Sequence, residues 1–451
     1  MINEDGLHKL LNLGRVEGPV TFIVFSNKIS NRLSYVCEFI FNSVFKVNFI
    51  LTENKNEFEA STLAKINYSD TPIINSFQIF PSSLLFEKGV NEKKPTPEFE
   101  NNLIYFFKNN KPTNFHFDVF ASVFYFVSRY EEWQNYEKDA HGRFELNQSI
   151  LFKNNFHLRP VVDIWIEELK LALQIKYTSI QFPKREFKII ATIDVDNLYA
   201  YKSKGFVRTF GASLKDLLRF DFKNLTRRIK VISNKIPDPF DIYEDFSKFC
   251  NEKNISLIYF FLFKGGTKFD RTVNPLSNSF NKAFESIKRY KAFIGLHPSY
   301  YSSKKVNLFT KEVNNFSHKL NMQVKLSRQH YLIFDIRTTP NLLLENKILA
   351  DFSMGFASGA GFRAGTSMPF YYYNISAEEK TNLLLVPFCA MDGAYFIYNK
   401  MDTLEAQSSM EKIKEEIKKL NGLFITVFHE RTFAQHLYKG FGEMYKKLLS
   451  N

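Results

Sequence analysis

The sequence predicts an α/β protein with a C-terminal parallel sheet, open or closed into a barrel, behind a smaller α/β or α+β domain. Three observations predict it. Short apolar runs alternate with amphipathic, capped segments through the second half of the chain, as in strand–helix repeats. The first half mixes helix and strand signals without that regularity. Between the halves, Pro183-Lys184-Arg185 makes a polar break. The expected division is therefore residues 1–183 and 184–451, each long enough to bury a core.

In the first domain, TFIVF (residues 21–25) reads as a buried strand. DVFASVFYFVSRYEEW (118–133) carries an apolar stripe at helical spacing, with Asp118 as its N-cap, and EELKLALQIK continues the helical pattern. In the second domain, the apolar runs at 188–193, 257–263, 292–296, 324–327, 347–350, 383–388 and 423–428 are the expected strands. Asp238-Pro239 is expected to open a helix, with proline in its first turn. EAQSSMEKIKEEIKKL ends at Asn421-Gly422, a C-cap pair.

Hydrophobic residues make up 45% and charged residues 24%, which excludes a disordered chain, a collagen-like fibre and a small disulfide scaffold. The 50 phenylalanines lie in short runs, none near the ~18–20 apolar residues of a membrane helix. The start MINEDGLHKL lacks a basic segment followed by an apolar one, so the expectation is a soluble, unexported protein in the cytoplasm or at the inner face of the membrane. Lys+Arg 60 against Asp+Glu 47 gives a net charge of +13, compatible with peripheral contact to an anionic membrane surface. The basic residues are scattered, densest in LTRRIKVISNK, and no docking motif accompanies them, so no nucleic-acid partner is expected. Cys37, Cys250 and Cys389 are far apart and read as structural thiols of a reducing compartment.

The residues that terminate the runs point to function. Asp194 and Asp196 end the first, His297 the third, Arg328 and His330 the fourth, Asp351 the fifth and His429 the last. Strand C-termini of parallel α/β folds share one face, where active sites are assembled, so these endings predict an enzyme. In ATIDVDN one carboxylate can ligate a divalent cation while the other acts as base. His297, stopped by a proline in GLHPSY, suits a metal as neutral imidazole. GFRAGTSMPF turns tightly around Arg363 but lacks the ending of a phosphate loop. In VFHERTF, His429 is placed for proton transfer, and Asp392 of MDGAYF can orient it. His8, His116, His141, His318, His436 and the tyrosines at 371–373 are expected to be structural.

This ordered set resembles the polysaccharide deacetylases, the NodB-homology enzymes of carbohydrate esterase family four, from about Lys188 to the end of the chain. RYEEW, DAHGRFELNQS, SRQHYL and GFRAGT are similar to a bacterial subgroup in which an uncharacterised N-terminal domain precedes the deacetylase domain. The resemblance implies a distorted (β/α) barrel and metal-dependent removal of an N-acetyl group from an amino sugar in a surface polysaccharide or its lipid-linked precursor. It implies Asp194 as base, Asp196 and His297 as metal ligands, Arg363 orienting Asp194, and Asp392 supporting His429 as general acid. One divalent cation is implied, zinc by default, with an N-acetylated glycan or lipid-linked saccharide as partner. Tyr300, Tyr301, Arg328 and Asp351 are the expected substrate contacts.

The chain also departs from the family. Tyr301 stands where the second metal histidine belongs, and His330 is expected to replace it. Arg363 precedes Pro369 by six residues rather than two, and no D-x-x-D-W surrounds Asp392. Two other readings remain open: an inactive glycan-binding or scaffold protein on the same fold, and an aspartyl-nucleophile phosphatase built on IDVDN.

Overall fold

Apolar at consecutive rather than alternate positions, KIIATIDV and LFITVFH need cover on both faces, and both are buried throughout their C-terminal halves. The structure is a computed structural model that describes residues 3–13, 20–109, 111, 113–275 and 277–450. Its first sheet is parallel, with β1 (Thr21–Phe25), β2 (Asn48–Thr52), β3 (Ala64–Tyr68) and β4 (Phe77–Ile79) in the order β2-β1-β3-β4. A short hairpin comes next, β5 (Glu98–Glu100) with β6 (Leu103–Tyr105). Asp118 caps the helix Val119–Val127 by accepting from the Ala121 N–H. The stripe expected over 118–133 is broken there, because Arg129 takes a left-handed conformation (φ 54°) before a second turn, Tyr130–Trp133.

The second sheet has nine strands: β7 (Lys188–Val195), β8 (Ser256–Leu262), β9 (Phe293–His297), β10 (Leu326–Ser327), β11 (Ala350–Met354), β12 (Phe370–Asn374), β13 (Glu379–Pro387), β14 (Ala390–Met391) and β15 (Leu423–His429). Their order is β12-β13-β11-β10-β9-β8-β7-β15-β14, parallel except for β12 against β13. The sheet curls without closing, because among the described residues its edge strands β12 and β14 do not pair with each other. Side chains alternate across it. Ala191, Ile193 and Val195 join an outer core shared with the helices Val119–Val127 and Val161–Lys176 and the first sheet. Ile190, Ile258, Phe260, Phe352, Ile425 and Val427 line the inside. There Leu7, Leu10, Leu11 and Leu13, on and just after the helix Glu4–Leu10, fill the curl where a closed barrel would pack its own strands.

Three local expectations are corrected. Asp238 does not start a helix: its carboxylate accepts from the N–H groups of Ala200, Tyr201 and Lys202, and the helix begins at Tyr243. The fifth strand runs on past Asp351 to Met354, so Asp351 lies inside the sheet. Arg363 points away from β7. Its guanidinium is fully buried and forks onto Glu132, at 2.8 Å (Nε) and 2.6 Å (Nη2), while Arg129 binds the same carboxylate at 2.8 Å. On the loop's other side, buried Asp163 accepts from the Thr366 hydroxyl and from the N–H and hydroxyl of Ser367. RYEEW and the helix Val161–Lys176 thus hold the GFRAGT loop from both sides.

Removing one member of a buried ion pair leaves the other charge uncompensated, at a cost of about 3–5 kcal/mol. Arg363→Ala is expected to lose about that much in urea unfolding, with the metal stoichiometry of the remaining folded protein unchanged. Wild-type stability in this variant would contradict the clamp.

Candidate metal centre

The inner face of the sheet turns polar at its C-terminal rim. Asp194 is the last inward residue of β7, paired in register with His429 of β15, and His297 ends β9. The loops just beyond carry Asp196 and His330. The structure brings these five side chains around one cavity of about 420 Å3, which Arg431, Tyr331 and Arg143 also line.

Hydrogen bonds determine which imidazole nitrogens face inward. His297 Nδ1 lies 2.7 Å from the Arg328 carbonyl, which can only accept, so this nitrogen carries the proton. His330 Nδ1 lies 2.9 Å from Asp270 Oδ1. Asp270 in turn accepts from the Tyr300 N–H (2.9 Å) and the Thr267 hydroxyl (2.6 Å). In the neutral rings both Nε2 atoms therefore present lone pairs, and both face Asp196 Oδ1, at 3.6 Å from His297 and 3.5 Å from His330. Burial lowers the His297 pKa to about 4, so its ring is neutral at pH 7. Asp196 Oδ1 is buried and has no hydrogen-bond partner among the described residues. Its Oδ2 accepts from Arg431 Nη1 at 2.6 Å. Burial opposes ionisation of Asp196, but neighbouring positive charge, from Arg431 first and then His429, outweighs it and holds the carboxyl far below the usual carboxylate range.

Three lone-pair donors converging without a proton between them fit a divalent cation. The three ligand atoms all lie within 4.8 Å of one another. Donors at about 2.0–2.1 Å from a tetrahedral zinc stand about 3.3–3.4 Å apart, close to the two Asp196 separations. Carboxylate and carbonyl acceptors behind the histidines are the usual supports of metal-binding imidazoles.

Two groups flank the trio. Asp194 Oδ1 accepts from Arg328 Nη1 at 2.8 Å, and Asp194 Oδ2 lies 3.9 Å from His297 Nε2. Arg328 is fully buried, also donates to the Thr192 hydroxyl (2.7 Å) and the Phe352 carbonyl (2.9 Å), and stacks on Phe260. Opposite, Asp392 accepts from both the backbone N–H and the Nδ1 of His429, each at 2.7 Å. His429 Nε2 then lies 3.9 Å from Asp196 Oδ2. Burial and Arg431 push the His429 pKa down, but Asp392 and Asp196 prevail and raise it to about 9.

Other sequence-predicted residues lie elsewhere. Arg328 is sealed beneath Asp194, in the orienting place expected of Arg363. Asp351 is fully buried against the Ser327 hydroxyl and the Ser353 N–H. Tyr300 stacks on Phe269, with ring centroids 3.9 Å apart, and its hydroxyl meets Nδ1 of His141 at 2.9 Å. Arg143, on the same turn of the first half of the chain as His141, lines the cavity. Tyr301 is half-exposed and does not border the cavity. Three residues were missed. Glu430 and Arg431 come directly after His429, and charged residues after a strand-ending histidine were the available signal. Glu430 is buried and accepts from the N–H groups of Asp196 and Asn197, both at 3.1 Å. Asp270 sits in a loop with no sequence signal.

Residues 22–178 match a family described as being of unknown function, DUF7033. No curated protein is significantly similar to the chain. Among solved structures, it is similar to a polysaccharide deacetylase assigned in Mycobacterium smegmatis, with 12% identity and a TM-score of 0.37 over 60% of this chain and 85% of that one. A polysaccharide deacetylase assigned in Pseudomonas aeruginosa matches at 8% identity and a TM-score of 0.34, over 58% and 83% of the two chains. IcaB from Ammonifex degensii matches at 12% identity and a TM-score of 0.23, over 38% and 86%.

Purified protein reconstituted with zinc is expected to hold one ion per chain by mass spectrometry, and Asp196→Ala, His297→Ala and His330→Ala to hold none. Asp270→Asn should weaken the affinity about 10–100-fold, and Tyr301→Phe should leave it unchanged. Metal retained in His330→Ala would remove that residue from the site.

Proposed function

We propose that this protein is a metal-dependent hydrolase that removes the N-acetyl group from an amino sugar in a surface polysaccharide or its lipid-linked precursor. The observation that carries the reading is the convergence of Asp196 Oδ1 and the Nε2 atoms of His297 and His330 between a tethered carboxylate and a tethered imidazole. The substrate class rests on the resemblance of the strand-end motifs to the polysaccharide deacetylases. Two imidazoles and one carboxylate suit zinc better than magnesium or calcium, which favour all-oxygen sites. When bound, such a cation supplies Lewis acidity that polarises an amide carbonyl and acidifies water.

The chain's own groups handle the protons. Arg328 occupies Asp194 Oδ1 and leaves Oδ2 turned toward the trio, where it accepts the proton of the attacking water. Arg431 occupies Asp196 Oδ2, leaving Oδ1 as the single free donor of that carboxylate. Asp392 keeps His429 protonated at Nδ1 and steadies its positive charge. His429 Nε2–H then donates to the nitrogen of the departing amine. Asp194 and His429 come from adjacent strands in direct register, so the spacing of base and acid is set by the sheet itself.

With zinc supplied, the protein is expected to release acetate from one member of a panel of N-acetylated amino sugars and oligosaccharides. Asp194→Asn and His429→Ala should each lower the rate about 10²–10⁴-fold while keeping the metal. No acetate from any member, together with glycan binding that survives Asp194→Ala, would replace catalysis with binding.

The pH profile supplies a separate check. The acid must be protonated, so kcat/KM falls as pH rises through the His429 pKa. That value is about 9 before a neighbouring cation pushes it down. Asp392→Asn removes the charge that raises it, and the alkaline limb should move to lower pH. An unmoved limb would assign the proton to another group.

A further inference from the structure

Helices Phe206–Leu218 and Phe222–Ile232 pack as a hairpin between β7 and β8. Both are amphipathic, but their sidedness is inverted. The residues they bury are Asp216, Arg228 and Val231. Arg228 pairs with Asp216 at 2.7 Å, which ties the two helices to each other, and lies over the Tyr201 ring at 5.0 Å, outside the hairpin. The large apolar side chains face solvent instead: Phe206 is 83% exposed, Phe220 79% and Leu218 71%, with Phe210, Phe222 and Ile229 beside them. Apolar surface this concentrated marks an interaction site.

The same segment carries much of the chain's net charge. Between residues 202 and 235 ten lysines and arginines stand against two acids, Asp216 and Asp221, in a protein of net charge +13. One of those acids is already committed to Arg228.

We propose that this hairpin docks the protein on an anionic lipid bilayer, its phenylalanines and leucines in the acyl boundary and its lysines and arginines among the headgroups. A helix with exposed Phe and Leu flanked by Lys and Arg is the type that lies in a membrane interface, and each basic residue near an anionic surface adds attraction. Among the described residues no helix is long and apolar enough to cross a membrane, so the contact is with one leaflet. A second copy of the chain would set the same cationic rim against itself. A nucleic acid would satisfy the charges but leave the phenylalanines in water. The bilayer answers both features. Docking also brings lipid close to the cavity: Lys204, at the root of the hairpin, donates to Asn197 Oδ1 at 2.8 Å, and Asn197 lines the cavity. The docking surface stands independently of what the cavity turns over.

The test is sedimentation of the full chain with vesicles of phosphatidylglycerol and phosphatidylcholine in equal parts, beside vesicles of phosphatidylcholine alone. Wild type should favour the anionic vesicles by about tenfold or more. The variant Phe206→Ser/Phe210→Ser/Leu218→Ser/Phe220→Ser should lose about tenfold or more in that binding, with its melting temperature and zinc content unchanged. Arg219→Glu/Lys223→Glu, which leaves the apolar face intact, should weaken anionic binding alone. Wild type remaining in the supernatant would overturn the proposal, as would a serine variant that binds like wild type. Self-association abolished by the serine variant, without vesicle binding, would assign the face to a second copy. Binding to a single-stranded oligonucleotide without vesicle binding would assign it to nucleic acid.

Discussion

Asp196 Oδ1, His297 Nε2 and His330 Nε2 face one another in a buried rim with no proton to share between them. Lone pairs brought this close repel, and the arrangement persists because each ring is held from behind, His297 by the Arg328 carbonyl and His330 by Asp270. A cation at the point of convergence turns that repulsion into coordination. The surrounding polar network keeps the three acceptors aimed. Glu430 binds the backbone that carries Asp196, and Arg431 takes Asp196 Oδ2, leaving Oδ1 to His297 and His330. Burial and the Asp196 charge push the Glu430 pKa up.

The sheet supplies the precision. Parallel strands ending on one rim bring residues more than a hundred positions apart within hydrogen-bond reach, as with Arg328 on Asp194. Alternation along β7 puts Ile190 in the apolar floor and Asp194 in the polar rim, on one face of one strand. Below, leucines from the start of the chain seal the curl. Above, polar side chains meet the cavity. Among the described residues the sheet does not close, so the rigidity of the rim depends on that leucine plug and on the Arg363–Glu132 and Ser367–Asp163 bonds that tie the 361–369 loop to the turn Tyr130–Trp133 and the helix Val161–Lys176. The first half of the chain also contributes Arg143 to the wall of the cavity.

The sequence made the strand framework readable wherever an apolar run ended in a chemically distinctive residue. β7, β8, β9 and β15 lie close to their runs, and Asp194, Asp196, His297 and His429 gather at the rim. The short or irregular strands were harder. β11 begins where the run KILA ends, and β12, built of FYYYN, reads as packing because its pattern matches no buried parallel strand. The two arginines exchanged places for a physical reason. A guanidinium next to a glycine-rich turn looks the same in sequence whether it faces a catalytic aspartate or Glu132, its partner 231 residues away. Likewise, Arg328 at a strand end reads as a ligand contact until its three acceptors are seen to be internal. Asp270 was invisible because only the position of His330 gives it a purpose.

The proposed function requires one divalent cation among Asp196, His297 and His330. The most direct measurement is anomalous diffraction at the zinc absorption edge from crystals of the zinc-loaded protein. One strong peak within coordination distance of Asp196 Oδ1 and of Nε2 of both histidines is the predicted result. A zinc-loaded crystal whose peak lies elsewhere, or whose three acceptors are bridged by ordered water alone, would contradict it.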